Sequence, residues 1–348
     1  MPTAGALGER ILIDDRLEGG AASEDVAAEV RDGLSRVGLK QLPPKLFYDE
    51  RGSELFEAIT ELPEYYPTRC EREILNRRAP EIVAAAGGAE ELVELGSGSA
   101  SKTRALLYAM AGAGTLRRYV PVDVSAAPVE RSAEELCEIY PGLEVHGLIG
   151  DFHRDLVHLP DGERRLFAFL GGTVGNLFPE ERVEFLSGLR AAMGPRDRLL
   201  LGTDLVKDVD VLEAAYNDGA GVTAEFNRNV LRVLNRELGA DFPVDRFEHV
   251  AFFDAANSWI EMRLRSIDER VVALPGAGIE ARFAAGEEVR TEISTKFTRE
   301  RVADDLGAAG LRLESFWTDE GGRFALSLAS PRRRRFARAP FPVRGAGS

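Results

Sequence analysis

The sequence predicts an α/β protein: a mostly parallel sheet with crossover helices, an α+β insertion and a C-terminal antiparallel hairpin. Three observations carry this expectation. From residue 91 short apolar runs alternate with stretches of helical periodicity, the pattern of parallel strands joined by helices. Between residues 206 and 295 the rhythm breaks, first into polar helices containing Tyr216 and then, from 246, into strand-like runs, which together read as an insertion. After Thr298 it returns with a helix, a strand from Leu311 to Trp317, a DEGG turn and a strand from Arg323 to Ala329, a terminal hairpin.

Taken in order, Arg10 to Asp15 reads as a short strand, followed by a Gly-rich turn and an amphipathic helix from Ser23 to Arg36, all within an added arm. Next come two helical stretches split by Pro63 and Pro67. Thr68 with Glu71 three residues on gives the second a capping box, and Tyr65 and Tyr66 fall in the rigid link. The expected core strands are Glu91 to Leu95, Tyr119 to Val122, Leu143 to Ile149, Leu166 to Leu170 and Leu199 to Gly202.

Composition narrows the function. The 348 residues carry 44 Lys plus Arg against 58 Asp plus Glu, a net charge of -14, which repels polyanions and argues against a nucleic-acid partner. The last 18 residues hold six Arg and no acid, so the body is more acidic still. Arg outnumbers Lys 39 to 5, so an Arg run such as Arg332 to Arg335 carries little information, and the tail reads as a solvated terminus. Two cysteines, Cys70 and Cys137, are too few for a disulfide framework and suit a reducing compartment. No run approaches the ~18 apolar residues of a membrane span, and the N-terminus lacks a signal peptide's basic start and apolar run. A cytoplasmic, monomeric protein is expected. His146, His153, His158 and His249 form no ligand set with either cysteine, so no metal is assigned.

The chemistry-bearing segments fall at the ends of successive strands. VELGSGSASKT carries a strand into a Gly-rich turn, where Gly96 and Gly98 let the backbone pass close to a ligand. Ser101 stands where a dinucleotide fingerprint has its third glycine, which weakens a pyrophosphate reading. PVDVS puts Asp123 at the next strand end, at the spacing where an acid grips ribose hydroxyls. GDF puts Asp151 and Phe152 at the third, where a carboxylate and a ring suit an adenine amino group and face. Each alone is compatible with an ordinary turn. Together they favour a nucleoside cofactor without a pyrophosphate, and S-adenosylmethionine is that molecule.

The combined run of YYPTRCEREIL, ELGSGSASKT, PVDVS, GDF, GGTVGNL, GTDLVKD and TEISTKF resembles the histidine-specific Nα-methyltransferases of ergothioneine biosynthesis, from about residue 40 to 330. The resemblance implies a class I methyltransferase (Rossmann-like) core over 69–205 and 296–331, and a discontinuous substrate-binding domain over 23–68 and 206–295. Residues 1–22 are then an arm and 332–348 a tail. It implies three methyl transfers to the α-amino group of L-histidine, giving hercynine. By position, Tyr48, Gly96, Lys102, Asp123, Asp151 and Phe152 would contact the cofactor. Tyr66, Asn176 and Tyr216 would hold the amino and carboxylate end of histidine, Tyr66 and Asn176 being the pair at the reacting amine, and Glu292 and Ser294 would hold the imidazole. All these positions carry the residue type the family expects.

Plainer readings stand beside these. Tyr65 and Tyr66 suit core packing, Asn176 suits a turn with left-handed backbone, and Glu292 and Ser294 suit a solvated strand face. The competing functions are an N-methyltransferase for another amino acid, an NAD-dependent oxidoreductase, opposed by Ser101, and a silent metabolite-binding scaffold, which would show a damaged cofactor motif.

Overall fold

The computed structural model describes residues 10–16, 21–152 and 154–332. In chain order the strands are β1 (Ile11–Asp15), β2 (Lys40–Gln41), β3 (Glu91–Leu95), β4 (Arg118–Asp123), β5 (Glu144–Ile149), β6 (Arg165–Phe169), β7 (Arg198–Asp204), β8 (Phe247–Asp254), β9 (Trp259–Ser266), β10 (Arg270–Leu274), β11 (Ile279–Phe283), β12 (Glu288–Thr295), β13 (Leu311–Thr318) and β14 (Phe324–Pro331). The helices are α1 (Ala21–Leu34), α2 (Glu50–Thr60), α3 (Pro67–Ala85), α4 (Arg104–Gly112), α5 (Ala126–Ile139), α6 (Pro179–Ala192), α7 (Val209–Tyr216), α8 (Val222–Glu237) and α9 (Arg299–Ala308).

One eight-stranded sheet organises the molecule, in the order β1-β5-β4-β3-β6-β7-β14-β13. The first six strands are parallel, and β14 lies antiparallel between β7 and β13, the expected terminal hairpin. Helices on both faces explain why its strands read as continuous apolar runs. Leu92 and Tyr119 enter one core, while Val93, Leu95, Val120 and Val122 enter the other. This is the class I methyltransferase architecture.

Two expectations are corrected. Residues 11–15 are the edge strand of the core sheet, paired in parallel with β5 from Ile11 opposite Val145 to Asp15 opposite Ile149, so this part of the arm is sheet. The capping box at Thr68 does not form. Pro67 occupies the first helical position, α3 starts without a side-chain cap, and Glu71 is drawn inward to accept the Gly171 N–H at 2.8 Å. The Arg-rich tail beyond Arg332 and His153 lie outside the described residues.

The insertion leaves and re-enters the core at one point. The Val206 N–H donates to the Phe297 carbonyl at 3.0 Å, the Phe297 N–H donates to the Asp204 carbonyl at 2.8 Å, and Lys296 pairs with the Asp204 carboxylate at 2.9 Å. Inside it, β12, β9 and β8 form an antiparallel sheet to which β2 adds in parallel, Lys40 opposite Val289. Phe47 stacks on Phe226 with ring centroids 4.6 Å apart. Residues from the 40s and from the insertion therefore share one sheet and one core.

Candidate active site

A cavity of about 1680 Å³ opens at the carboxyl ends of the parallel strands and is closed on its far side by β12, β9 and α7. That exceeds the roughly 300–1,000 Å³ typical of one small-molecule pocket. Two co-bound small molecules fit the space. Eleven of the predicted positions were Tyr48, Tyr66, Gly96, Lys102, Asp123, Asp151, Phe152, Asn176, Tyr216, Glu292 and Ser294, and all except Tyr66 line it.

On the sheet side, Gly96 and Gly98 have φ of +69° and +49°, a region closed to most side chains. The loop between β3 and α4 is tied down rather than free. The Gly96 N–H donates to the Val122 carbonyl at 2.8 Å, and the Gly98 N–H donates to the Asp123 carboxylate at 2.8 Å. Asp123 also accepts from the Ser125 N–H at 3.0 Å, so one carboxylate sets both the Gly-rich turn and the start of α5. Burial holds its pKa up. Beneath the loop, burial pushes Glu94 up to about 7, against hydrogen bonds from Thr103 and Tyr119. Phe152 packs edge-on against Phe169 at 5.3 Å and Phe185 at 5.7 Å, which fixes its ring at the cavity wall.

Lys102 pairs with Glu71 at 3.0 Å. Glu71 is fully buried and reaches this point because β7 carries Gly202, where a Cβ would stand 2.5 Å from the Glu71 Oε1. Among the described residues Glu71 takes one of the three Lys102 N–H donors, which leaves two for a ligand.

GGTVGNL forms the rim opposite. Gly171 and Gly172 take the left-handed backbone, at φ of +77° and +73°, so Asn176 is not needed for the turn, and its own φ is not positive. Gly175 has no room for a side chain, since a Cβ would meet the Thr295 carbonyl oxygen at 3.0 Å. This close approach sets the half-buried Asn176 against β12, and among the described residues nothing hydrogen-bonds its amide.

The floor is polar and buried. Glu292 and Ser294 share one face of β12, after a bulge at Thr291, and are 7% and 5% exposed. Among the described residues no group hydrogen-bonds the Glu292 carboxyl, and burial pushes it up to about 8 despite Lys296 nearby. The Tyr216 hydroxyl lies 2.7 Å from the Ser294 hydroxyl, and Lys296 donates to both, at 3.1 and 2.9 Å. Behind them Asp204 accepts from the Tyr66 hydroxyl at 2.7 Å and pairs with Lys207 at 2.5 Å. Burial opposes ionisation of Asp204, but Lys296 and Lys207 hold it below the usual carboxylate range, while burial pulls Lys207 down to about 8. Tyr66, 2% exposed, thus sits behind the cavity wall and does not line it, accepting from Lys207 at 2.7 Å.

The sequence assigns Asp204, Lys207 and Lys296 no role, and Glu71 only that of a helix cap. One signal was available. In a chain with 39 Arg and 5 Lys, a lysine marks a place where a compact ammonium is needed; Lys102 lines this cavity, and Lys207 and Lys296 pair with the Asp204 carboxylate beneath its floor.

The raised Glu292 pKa has a consequence for stability. Between pH 4.5 and 8 the folded chain keeps a proton that the unfolded chain has lost. Its contribution is complete below 4.5 and is lost as pH rises through 8. Melting temperature should therefore decline less between pH 5 and pH 9 in Glu292→Gln than in the unsubstituted protein. Parallel profiles would show that Glu292 ionises in its ordinary range.

A family described as histidine-specific methyltransferase, SAM-dependent, matches residues 26–331. The chain is 52% identical to histidine N-alpha-methyltransferase of Mycolicibacterium smegmatis over 89% of this chain and 96% of the relative. It is 50% identical to the enzyme of the same description from Mycobacterium tuberculosis, over 92% and 99%. Ergothioneine biosynthesis protein 1 of Neurospora crassa is 32% identical over 87% of this chain and 34% of that protein. Among solved structures, magnesium protoporphyrin IX methyltransferase from Synechocystis, with bound SAH, aligns with TM-score 0.44 and 13% identity over 82% of this chain and 96% of that one.

Proposed function

The chain belongs to the histidine-specific, S-adenosylmethionine-dependent methyltransferases and so methylates the α-amino nitrogen of L-histidine, and we propose that it does so three times, ending at hercynine. The observation that carries this reading is the meeting of two half-sites in one cavity: the Gly96–Asp123–Phe152 wall and the Asn176–Tyr216–Glu292–Ser294 floor. In the same reading, residues 23–68 and 206–295 form the substrate-binding unit, and 69–205 with 296–331 the core.

The wall fits S-adenosylmethionine. A Cβ at Gly96 would reach to 3.9 Å from the Phe152 ring, so glycine keeps open a slot between loop and ring. Asp123 and Asp151 supply acceptors for sugar and base, and Lys102 supplies a cation for a carboxylate. When bound, the cofactor supplies a methyl group on an electrophilic sulfonium.

The chain's own residues do the positioning. Asn176, neutral and with no hydrogen-bond partner among the described residues, holds the amine through either its carbonyl or its NH₂ group. The same amide therefore serves a nitrogen that loses one N–H with each transfer. Tyr66, engaged by Asp204 and Lys207, shapes the wall beside it. Glu292 and Ser294 take the imidazole, which leaves the side chain no freedom to swing the amine off line. Such alignment accounts for up to roughly 7–11 kcal/mol of barrier. After the third transfer the nitrogen has neither proton nor lone pair, and the sequence stops.

Mass spectrometry of a reaction holding the protein, S-adenosylmethionine and a mixture of amino acids tests this. Histidine alone should gain three methyl groups. A product that stops at one, or equal methylation of another amino acid, would overturn it. The cofactor half is tested by Asp123→Ala, which removes charge-assisted hydrogen bonds of ~1.5–3 kcal/mol. Calorimetric titration should give a Kd for S-adenosylmethionine raised about 10- to 100-fold, and unchanged affinity in the folded variant takes Asp123 out of the site.

A further inference from the structure

We infer that Lys296 is a positioning residue that fixes the hydroxyls of Tyr216 and Ser294, so that this pair presents a hydrogen-bond donor to an acceptor atom of the bound amino acid. The inference rests on the reading that an amino acid occupies this floor.

A hydrogen count leads to it. An ammonium has three N–H donors. Lys296, wholly buried, has three acceptors in reach: the Asp204 carboxylate and Ser294 hydroxyl, each at 2.9 Å, and the Tyr216 hydroxyl at 3.1 Å. No donor is left over, so Lys296 does not itself hold the ligand. Its effect falls on the hydroxyls, each of which accepts from it and has one hydrogen to place. They stand 2.7 Å apart, so one donates to the other and a single hydrogen remains. Among the described residues no further acceptor is bonded to either hydroxyl, and both side chains line the cavity. The remaining hydrogen is directed at whatever occupies it.

The ammonium is itself held in place. Asp204 is anchored from behind by Lys207 at 2.5 Å and by the Tyr66 hydroxyl at 2.7 Å, and the Tyr216 ring faces the Lys296 Nζ with its centroid 4.6 Å away. Without Lys296 the two hydroxyls would be free to turn and accept from a ligand as readily as donate to it. The preference for an acceptor atom would be lost, while the cavity kept its shape.

Titration calorimetry of the full chain with L-histidine, at saturating S-adenosylhomocysteine so that no turnover occurs, reads this directly. Lys296→Met is expected to raise the histidine Kd about 30-fold, with S-adenosylhomocysteine affinity within about twofold. In steady state the loss should fall on KM, with kcat changed less than about threefold. Ser294→Ala should cost about tenfold in the unsubstituted background and less than about threefold in Lys296→Met, because it acts on an orientation already lost. Additive losses, or an unchanged histidine Kd in folded Lys296→Met, would overturn the inference. Should the Met variant fail to fold, Lys296→Gln, which keeps two N–H donors without the charge, should raise the Kd about fivefold, and unchanged affinity there overturns it equally. No histidine binding to the unsubstituted protein would overturn the functional reading along with this inference, whereas equal binding removes the role of Lys296 alone.

Discussion

Glu292→Ala is expected to raise the KM for histidine about a hundredfold or more while leaving S-adenosylmethionine affinity unchanged. Glu292 is buried, lines the cavity and has no hydrogen-bond partner among the described residues, so its polar atoms are satisfied only by what enters. A carboxyl that ionises near pH 8 serves either nitrogen of an imidazole, accepting as the carboxylate or donating as the acid. Each unmet group costs on the order of 1–3 kcal/mol. Sites that read a ligand by hydrogen bonds reject an analogue lacking them by up to roughly 10⁴. Phenylalanine, which leaves Glu292 unpaired and gives the one remaining hydrogen of the Tyr216–Ser294 pair no acceptor, should therefore be a poor substrate. A wild-type KM in the variant, or equal use of phenylalanine, would remove Glu292 from the reading of the ring.

Asp204→Asn should be the most damaging substitution for stability. It leaves Lys296 and Lys207, 0% and 10% exposed, facing one neutral amide, and breaking a buried ion pair from one side costs about 3–5 kcal/mol. Urea unfolding at pH 7 gives the difference. The sign of its pH dependence follows from the lowered Asp204 pKa. The contribution is present above about pH 4, where the unfolded carboxylate is ionised, and is lost as pH falls through the folded value. The gap between variant and unsubstituted protein should narrow in acid. A loss under about 1 kcal/mol at pH 7 would mean that the lysines find other partners or lose their protons.

The sheet was legible because its signal is local. Leu92 and Val93 need only alternate to declare a strand buried on both faces, and the glycines of VELGSGS and GGTVGNL announce backbone that other residues adopt with strain. That Gly96, Asp123 and Phe152 share one wall of the cavity was legible for the same reason, since they follow successive strands. The floor was not. Asp204 and Lys296 are 92 positions apart and meet only because the insertion closes on itself, and no periodicity in either segment points to the other. Glu71 was misassigned because a helix-start pattern with the right spacing was present, whereas the Gly171 N–H and the Lys102 ammonium that claim its carboxylate lie far away in sequence. The edge strand β1 was placed in an arm because a five-residue run carries no information about its neighbour.

The meeting of Asp204, Val206, Lys296 and Phe297 gives the insertion a neck whose two sides are hydrogen-bonded and ion-paired to each other. Whatever lies between them is, to the core, a closed loop. The entropy of closing such a loop grows slowly, by only about 0.6 kcal/mol for each doubling of its length. Segments could be lengthened, trimmed or exchanged above the neck with little effect on the parallel strands or on the cofactor wall they carry. Under the proposed reading, such changes would alter the shape of the amine accepted without disturbing the wall assigned to the methyl donor. At the neck the Lys296–Asp204 ion pair both helps to close the loop and underlies the floor of the cavity.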